Sequence, residues 1–87
     1  MKNYDAIING RLGEIKQPTS FQQIRNRLND ADMQKASIVC LEPPVENHTM
    51  DEAINVVKKW FNSPQKVINY VDTVLLIWKG QIKIIKK

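Results

Sequence analysis

The segment from Thr49 to Asn62 constrains the fold more than any other part of this chain. Its apolar residues fill one continuous arc of a helical wheel, and its charged and amide residues fill the other side. This separation is typical of a helix that packs one face on a core. Thr49 followed by Glu52 has the spacing of a capping box, so the helix is predicted to begin there. The apolar arc consists of Met50, Ala53, Ile54, Val56, Val57, Trp60 and Phe61.

A second helix is predicted earlier in the chain, after Pro18. Thr19 and Ser20 each stand three residues before a glutamine, which again predicts a capping box. Apolar residues then recur at helical spacing, at Phe21, Ile24, Leu28 and Ala31. Two amphipathic helices in a chain of 87 residues require an apolar layer on which both can pack.

The first strands of that layer are predicted on either side of Asn9-Gly10. This dipeptide favours a type I′ hairpin turn because both central residues of such a turn need a positive φ angle. The turn pairs Tyr4–Ile8 with Arg11–Ile15, which places Ile7 opposite Leu12. An antiparallel hairpin is therefore predicted at the start of the chain.

Two further regions complete the predicted sheet. Ser37 to Leu41 is a short apolar run ended by prolines, and it is predicted to be a central strand buried on both faces. Val74–Trp78 and Ile82–Lys87 are predicted to form a second hairpin. Its turn lies at Lys79-Gly80 or at Gly80-Gln81, and both registers keep the same residues on each face.

The predicted order is β-β-α-β-α-β-β within a single domain, residues 1–87. Two helical crossovers predict a mixed sheet with both helices on one face, which is an α+β two-layer sandwich. Residues 64–72 stay ambiguous, because their β-branched residues favour a strand whereas Ser63-Pro64 favours the start of a third helix.

The composition excludes several classes of protein. The one cysteine, Cys40, cannot form an internal disulfide, and with the one histidine, His48, it falls short of a structural zinc site. The longest apolar run has five residues, against about 18 for a membrane span. The N-terminal residues also lack the apolar stretch of a signal peptide. We therefore expect a cytoplasmic protein without a membrane segment, a bound metal or a cofactor.

Cys40 and His48 are also the obvious candidates for catalysis, and neither is predicted to serve it. Cys40 lies inside an apolar strand, where a thiol is expected to act as a small core hydrophobe. His48 lies in a proline-rich loop and is expected to have a surface or helix-entry role. A nucleophile and its base would both have to reach one exposed cleft. The chain is therefore predicted not to be an enzyme.

The C-terminal hairpin is predicted to be the binding surface, because both of its faces are apolar. One face carries Leu75, Ile77, Ile82 and Ile84, and the helices can cover only one of the two. The other face, with Trp78 as its anchor, is predicted to bind a protein partner. The predicted partner-binding residues are Val74, Leu76, Trp78, Lys79, Lys83 and Ile85. The alternatives are a second copy of the chain, or the loop Glu42–His48 folded over the exposed face.

The formal net charge of +4 suggests a second hypothesis. Residues 1–57 carry −2, from six basic and eight acidic groups, whereas residues 58–87 carry +6, from seven lysines and Asp72. This basic third, with Trp78 for stacking, is a candidate nucleic-acid surface. Lysines on a last strand also protect a sheet edge from aggregation. The seven lysines are Lys58, Lys59, Lys66, Lys79, Lys83, Lys86 and Lys87.

The segment Ala6-Ile7-Ile8-Asn9-Gly10, followed by a capped helix, resembles the start of small nuclease-inhibitor proteins of the barstar type. The resemblance covers less than a third of the chain. Such inhibitors are typically acidic, whereas this chain is basic.

The sequence as a whole favours a small non-enzymatic protein-binding regulator or inhibitor. Isoleucine, lysine and asparagine make up 29 of the 87 residues, a bias of AT-rich genomes that suggests a phage or mobile-element source. The alternative function is a nucleic-acid-binding module that uses the basic third.

Overall fold

The computed structural model describes residues 6–8, 11–64 and 67–87, which form five strands and two α-helices. The observed order confirms the predicted α+β fold with the succession β-β-α-β-α-β-β. A short 3-10 turn, Phe21–Gln23, leads into the first α-helix. The elements are β1 (Ala6–Ile8), β2 (Arg11–Lys16), α1 (Ile24–Met33), β3 (Ile38–Leu41), α2 (Met50–Phe61), β4 (Thr73–Trp78) and β5 (Gln81–Lys86).

The described strands form one mixed sheet in the order β1-β2-β3-β4-β5. The central strands β2, β3 and β4 are parallel, and each outer strand is antiparallel to its neighbour. The two parallel connections run through α1 and α2 and step across the sheet in the same direction. Because such crossovers share one hand, both helices lie on the same face of the sheet.

The core lies between this face and the two helices. Val39, Leu41, Val74 and Leu76 are fully buried there. A side-chain hydrogen bond joins the two helices, because the Trp60 indole N–H on α2 donates to the Asn29 side-chain oxygen on α1 at 2.7 Å. The helical residues in the core cluster are Phe21, Ile24, Leu28, Ala31, Ala53, Val57, Trp60 and Phe61. They include every member of the predicted stripe of α1.

The hairpin registers agree with the turn chemistry. Ile7 pairs with Leu12 as predicted, while the Asn9-Gly10 turn and Tyr4 lie outside the described residues. In the second hairpin, Trp78 pairs with Gln81, so the turn is Lys79-Gly80. Both turn residues have positive φ angles, 48° and 79°. A type I′ turn requires this geometry, and Gly80 adopts it without strain.

One of the two predicted capping boxes is present. At the start of α2, the Glu52 N–H donates to the Thr49 hydroxyl oxygen, and the Thr49 N–H donates to the Glu52 carboxylate. The box predicted at Thr19 and Ser20 is wrong, because Ser20 makes no side-chain cap. The Phe21 N–H instead donates to the Glu46 carboxylate at 2.8 Å. A charged carboxylate is the stronger acceptor, and here it comes from a distant loop.

The ambiguous segment 64–72 forms neither a helix nor a strand in its described part. A buried carboxylate fixes its path instead. Asp32, 5% exposed near the end of α1, accepts hydrogen bonds from the backbone N–H groups of three consecutive residues. The donors are Asn69, Tyr70 and Val71, at 3.2, 2.8 and 3.0 Å. This cluster sets the point at which the chain enters β4.

Replacement of Asp32 should therefore destabilise the fold strongly. Asp32→Ala leaves the N–H groups without their acceptor and should lower the free energy of unfolding by about 3 kcal/mol. Asp32→Asn retains one acceptor oxygen and should cost less. Urea denaturation followed by circular dichroism measures both effects. Asp30→Asn is the matched control, because the Asp30 side chain is 42% exposed and pairs only with Arg27 in the described part of the chain. Equal stability of the Ala and control variants would contradict this role.

Candidate docking face

The sheet face opposite the helices is apolar, and within the described residues it is exposed toward the carboxyl ends of the parallel strands, whereas Ile38 and Thr73 near its other end are buried. Cys40 lies between two core residues of β3 and therefore points to this face, where Ile15 and Leu75 are its neighbours in the paired strands. Ile82 and Ile84 extend the surface onto β5 and are 66% and 58% exposed, and Ile15 is 46% exposed. We call this surface the open face, and it consists of Ile15, Cys40, Leu75, Ile77, Ile82 and Ile84.

The apolar residues of the predicted partner surface lie on the side of the hairpin that the helices cover. Val74 and Leu76 are fully buried, and Trp78 and Ile85 are 5% and 4% exposed, all within the core beneath the helices. Trp78 packs edge-on against Phe21, with ring centroids 6.4 Å apart. These four residues are thus a structural layer, and their assignment as accessible partner contacts is wrong. Of the residues that the sequence grouped on the opposite face, Ile82 and Ile84 are exposed and Leu75 and Ile77 are half-buried.

Four lysines of the basic third lie on the C-terminal hairpin. Lys79 is in the exposed turn, and Lys83, Lys86 and Lys87 follow β5. We call these four the basic edge. Lys58 and Lys59 are exposed in the last turn of α2. Lys66 lies outside the described residues.

A hydrogen bond fixes the last lysine of the basic edge, and Trp78 does not lie beside these lysines on the surface. The Lys87 ammonium group donates to the Ile68 carbonyl oxygen at 3.0 Å. The indole of Trp78 is buried, so it cannot stack on a base as the nucleic-acid hypothesis expected. The exposed lysines remain available for contacts with anions.

The loop from Glu42 to His48 borders the open face only at Ile77 and leaves Ile15, Ile82 and Ile84 exposed. Its contacts lead to the helices instead, because Glu46 accepts from the Phe21 backbone and the His48 ring stacks on the Phe21 ring at 3.7 Å. His48 Nδ1 also lies 3.3 Å from a Glu52 carboxylate oxygen. The Thr49 backbone N–H and His48 lower the pKa of Glu52. His48 therefore serves the entry to α2.

A shallow depression of about 390 Å³ lies at the carboxyl ends of the parallel strands. Pro43, Pro44 and Val45 form one wall, and Ile77 continues the open face into it. Lys79 lies at its border, and Glu42 there accepts a hydrogen bond from the Gln17 side chain at 3.1 Å. The depression can therefore receive an apolar side chain at one end of the open face.

The two candidate catalytic residues are not brought together. Cys40 is half-buried on the open face, whereas His48 stacks on Phe21 on the helix side. Cys40 was expected in the core, and it is partly exposed because no helix covers that side of β3. Burial raises the pKa of the Cys40 thiol. Within the described ranges, no group of three potential metal ligands occurs, and no helix is long and apolar enough to cross a membrane.

Comparison with protein-family models, with curated proteins and with solved structures finds no match to this chain.

Alkylation of Cys40 should report the accessibility of the open face. Because the thiolate is the reactive form and burial raises the thiol pKa, iodoacetamide should react more slowly than with the unfolded chain. The rate should rise about tenfold per pH unit below that pKa. It should also stay nearly constant in urea below the unfolding transition, since the native state reacts directly. A rate that rises exponentially from the lowest urea concentrations would instead place Cys40 in the closed core.

Proposed function

We propose that this protein is a small non-enzymatic regulator or inhibitor that binds a protein partner on the open face of its sheet. The observation that carries the proposal is the exposure of Ile82 and Ile84 beside the half-buried Leu75 and Ile77. Aliphatic side chains grouped on one flat surface are typical of a protein contact. A cytoplasmic location belongs to the same proposal, because a lone cysteine suits a reducing compartment.

Charge favours an acidic partner. The six residues of the open face are uncharged, but Lys86 lies on the same side of β5 as Ile82 and Ile84. The rest of the basic edge follows the same border of the sheet. A partner that offers an aliphatic centre with carboxylates on one flank would match both features. Such charges would raise the rate of association and orient the partner, while burial of the aliphatic centre would supply most of the affinity.

The open face should be required for binding of that partner. Burial of each exposed isoleucine in the complex should contribute about 1–2 kcal/mol to the free energy of binding, which is part of the value for full burial of the side chain. The double variant Ile82→Ser, Ile84→Ser should therefore weaken the complex by about 30- to 1000-fold. Affinity purification of the full chain from its source cells, with nuclease treatment, followed by titration of the co-purified protein, measures this loss.

Val67→Ser is the matched control for this experiment. Val67 is 76% exposed and lies outside the sheet, so its loss removes a similar apolar surface away from the open face. The partner should bind this variant as well as it binds the wild type. Equal binding by the isoleucine variant would contradict the proposal. Loss of all material on nuclease treatment would favour nucleic acid, and light scattering that shows a stable dimer would favour a second copy.

A further inference from the structure

The outer edge of β5 has no neighbouring strand in the described part of the chain. Within the described strands, β5 is the last in the sheet and pairs only with β4. An edge of this kind offers backbone N–H and C=O groups to any extended chain that lies beside it. The hydrogen-bond pattern of the hairpin determines which residues offer them.

Alternate residues of β5 direct their backbone groups outward. In an antiparallel pair, every second pair of residues exchanges both of its hydrogen bonds, and the pair that closes a two-residue turn does so. Trp78 and Gln81 close this turn, so Gln81, Lys83 and Ile85 bond to β4. The Lys87 N–H continues the alternation by donating to the Asp72 carbonyl at 2.9 Å. Ile82, Ile84 and Lys86 therefore present their N–H and C=O groups to the free edge.

The side chains in the middle of β5 also alternate between aliphatic and charged. Ile82 and Ile84 lie on the open face, whereas Lys83 lies on the helix side with its side chain exposed. No carboxylate side chain occurs from Thr73 to Lys87. A strand placed beside β5 would therefore meet Ile82, Ile84 and, at the far end, Lys86 on one of its faces and the ammonium group of Lys83 on the other.

From this alternation, we propose that the partner adds an extended segment to the outer edge of β5, with aliphatic residues alternating with Asp or Glu. The aliphatic residues enlarge the open face beside Ile82 and Ile84. The carboxylates lie beside Lys83, and backbone hydrogen bonds form to Ile82, Ile84 and Lys86. This inference rests on the proposed protein-binding function and specifies the part of the partner that is recognised.

A second copy of β5 fits this edge less well. In the antiparallel register centred on Lys83, the two Lys83 side chains lie directly opposite each other, which is unfavourable. In the register centred on Ile84, only the two Ile84 side chains keep an aliphatic partner, because each Ile82 faces a Lys86. In these two registers the lysines therefore oppose self-pairing, whereas they favour a strand that carries carboxylates.

The test is selection of peptides by the full chain from a displayed library of random sequences. Enriched peptides should alternate aliphatic and acidic residues, and synthetic copies should bind the wild type and Val67→Ser equally. Lys83→Glu should weaken their binding at least about tenfold, as expected when a favourable charge contact becomes repulsive. Enrichment of peptides without this alternation, or no enrichment at all, would overturn the strand addition.

Backbone methylation separates strand addition from side-chain docking. In an added strand, only every second N–H points toward β5. N-methylation of that set should weaken binding about tenfold or more, whereas N-methylation of the other set should be tolerated. On the protein side, Ile84→Pro should bind more weakly than Ile84→Ser, because both remove the isoleucine but only proline removes the outward N–H.

The failures of the two proposals are distinguishable. If both methylated sets bind equally but Ile82→Ser, Ile84→Ser abolishes binding, the open face docks a partner without an added strand. That result overturns this inference and leaves the proposed function intact. If the serine variant also binds normally, both proposals fail. If Ile84→Pro does not fold, as judged by circular dichroism, the methylated peptides with wild-type protein decide the question.

Discussion

The two crossovers that place both helices on one face of the sheet determine the rest of this structure. A sheet with helices on both sides would bury both faces of the parallel strands β2, β3 and β4. Here the connections through α1 and α2 step in one direction, so a single layer of helices covers the sheet. One apolar face becomes the core, and the other has no helix on it and is half-buried to exposed from Ile15 to Ile84.

The path of the chain into β4 depends on a second constraint, the buried carboxylate of Asp32. Three backbone N–H groups of an irregular segment have no partners in a helix or a sheet, and burial of such groups without acceptors is costly. Asp32 satisfies them from the end of α1 and so ties the first helix to the start of β4. The register between β3 and β4 follows, and with it the alternation that leaves Leu75 and Ile77 on the open face.

Local sequence patterns predicted the elements well and their long-range partners poorly. The capping box at Thr49 and Glu52 uses groups three residues apart, and it is present as expected. Glu46 caps the Phe21 backbone from 25 residues away, and Asp32 binds donors 37 to 39 residues away. No periodicity or short motif encodes such contacts. The sequence therefore predicted the fold class and the order of its elements, but not these contacts.

The choice between the two faces of the C-terminal hairpin shows the same limit. Both faces are aliphatic, so hydrophobicity alone does not decide which one the helices cover. The presence of Trp78 suggested an interface anchor, yet a large aromatic side chain is equally suited to fill the core beside Phe21. The side of the sheet on which the two helical crossovers lie decides which face of the hairpin is buried. The prediction that the hairpin has apolar residues on both faces is confirmed, and the choice of accessible face is corrected.

The arrangement of β5 combines two requirements that normally conflict. An exposed aliphatic strand at the edge of a sheet is prone to pair with copies of itself, whereas a fully polar strand would offer little apolar surface to a partner. In β5, Ile82 and Ile84 lie on the open face, whereas Lys83 lies on the opposite face beside the buried Ile85, so the alternation of the strand separates the two properties. When two copies of β5 align so that their lysines lie opposite each other, the lysines repel. The same lysines attract the carboxylates of an acidic strand. The same side chains thus discriminate against self-association and, in the proposed complex, select the partner.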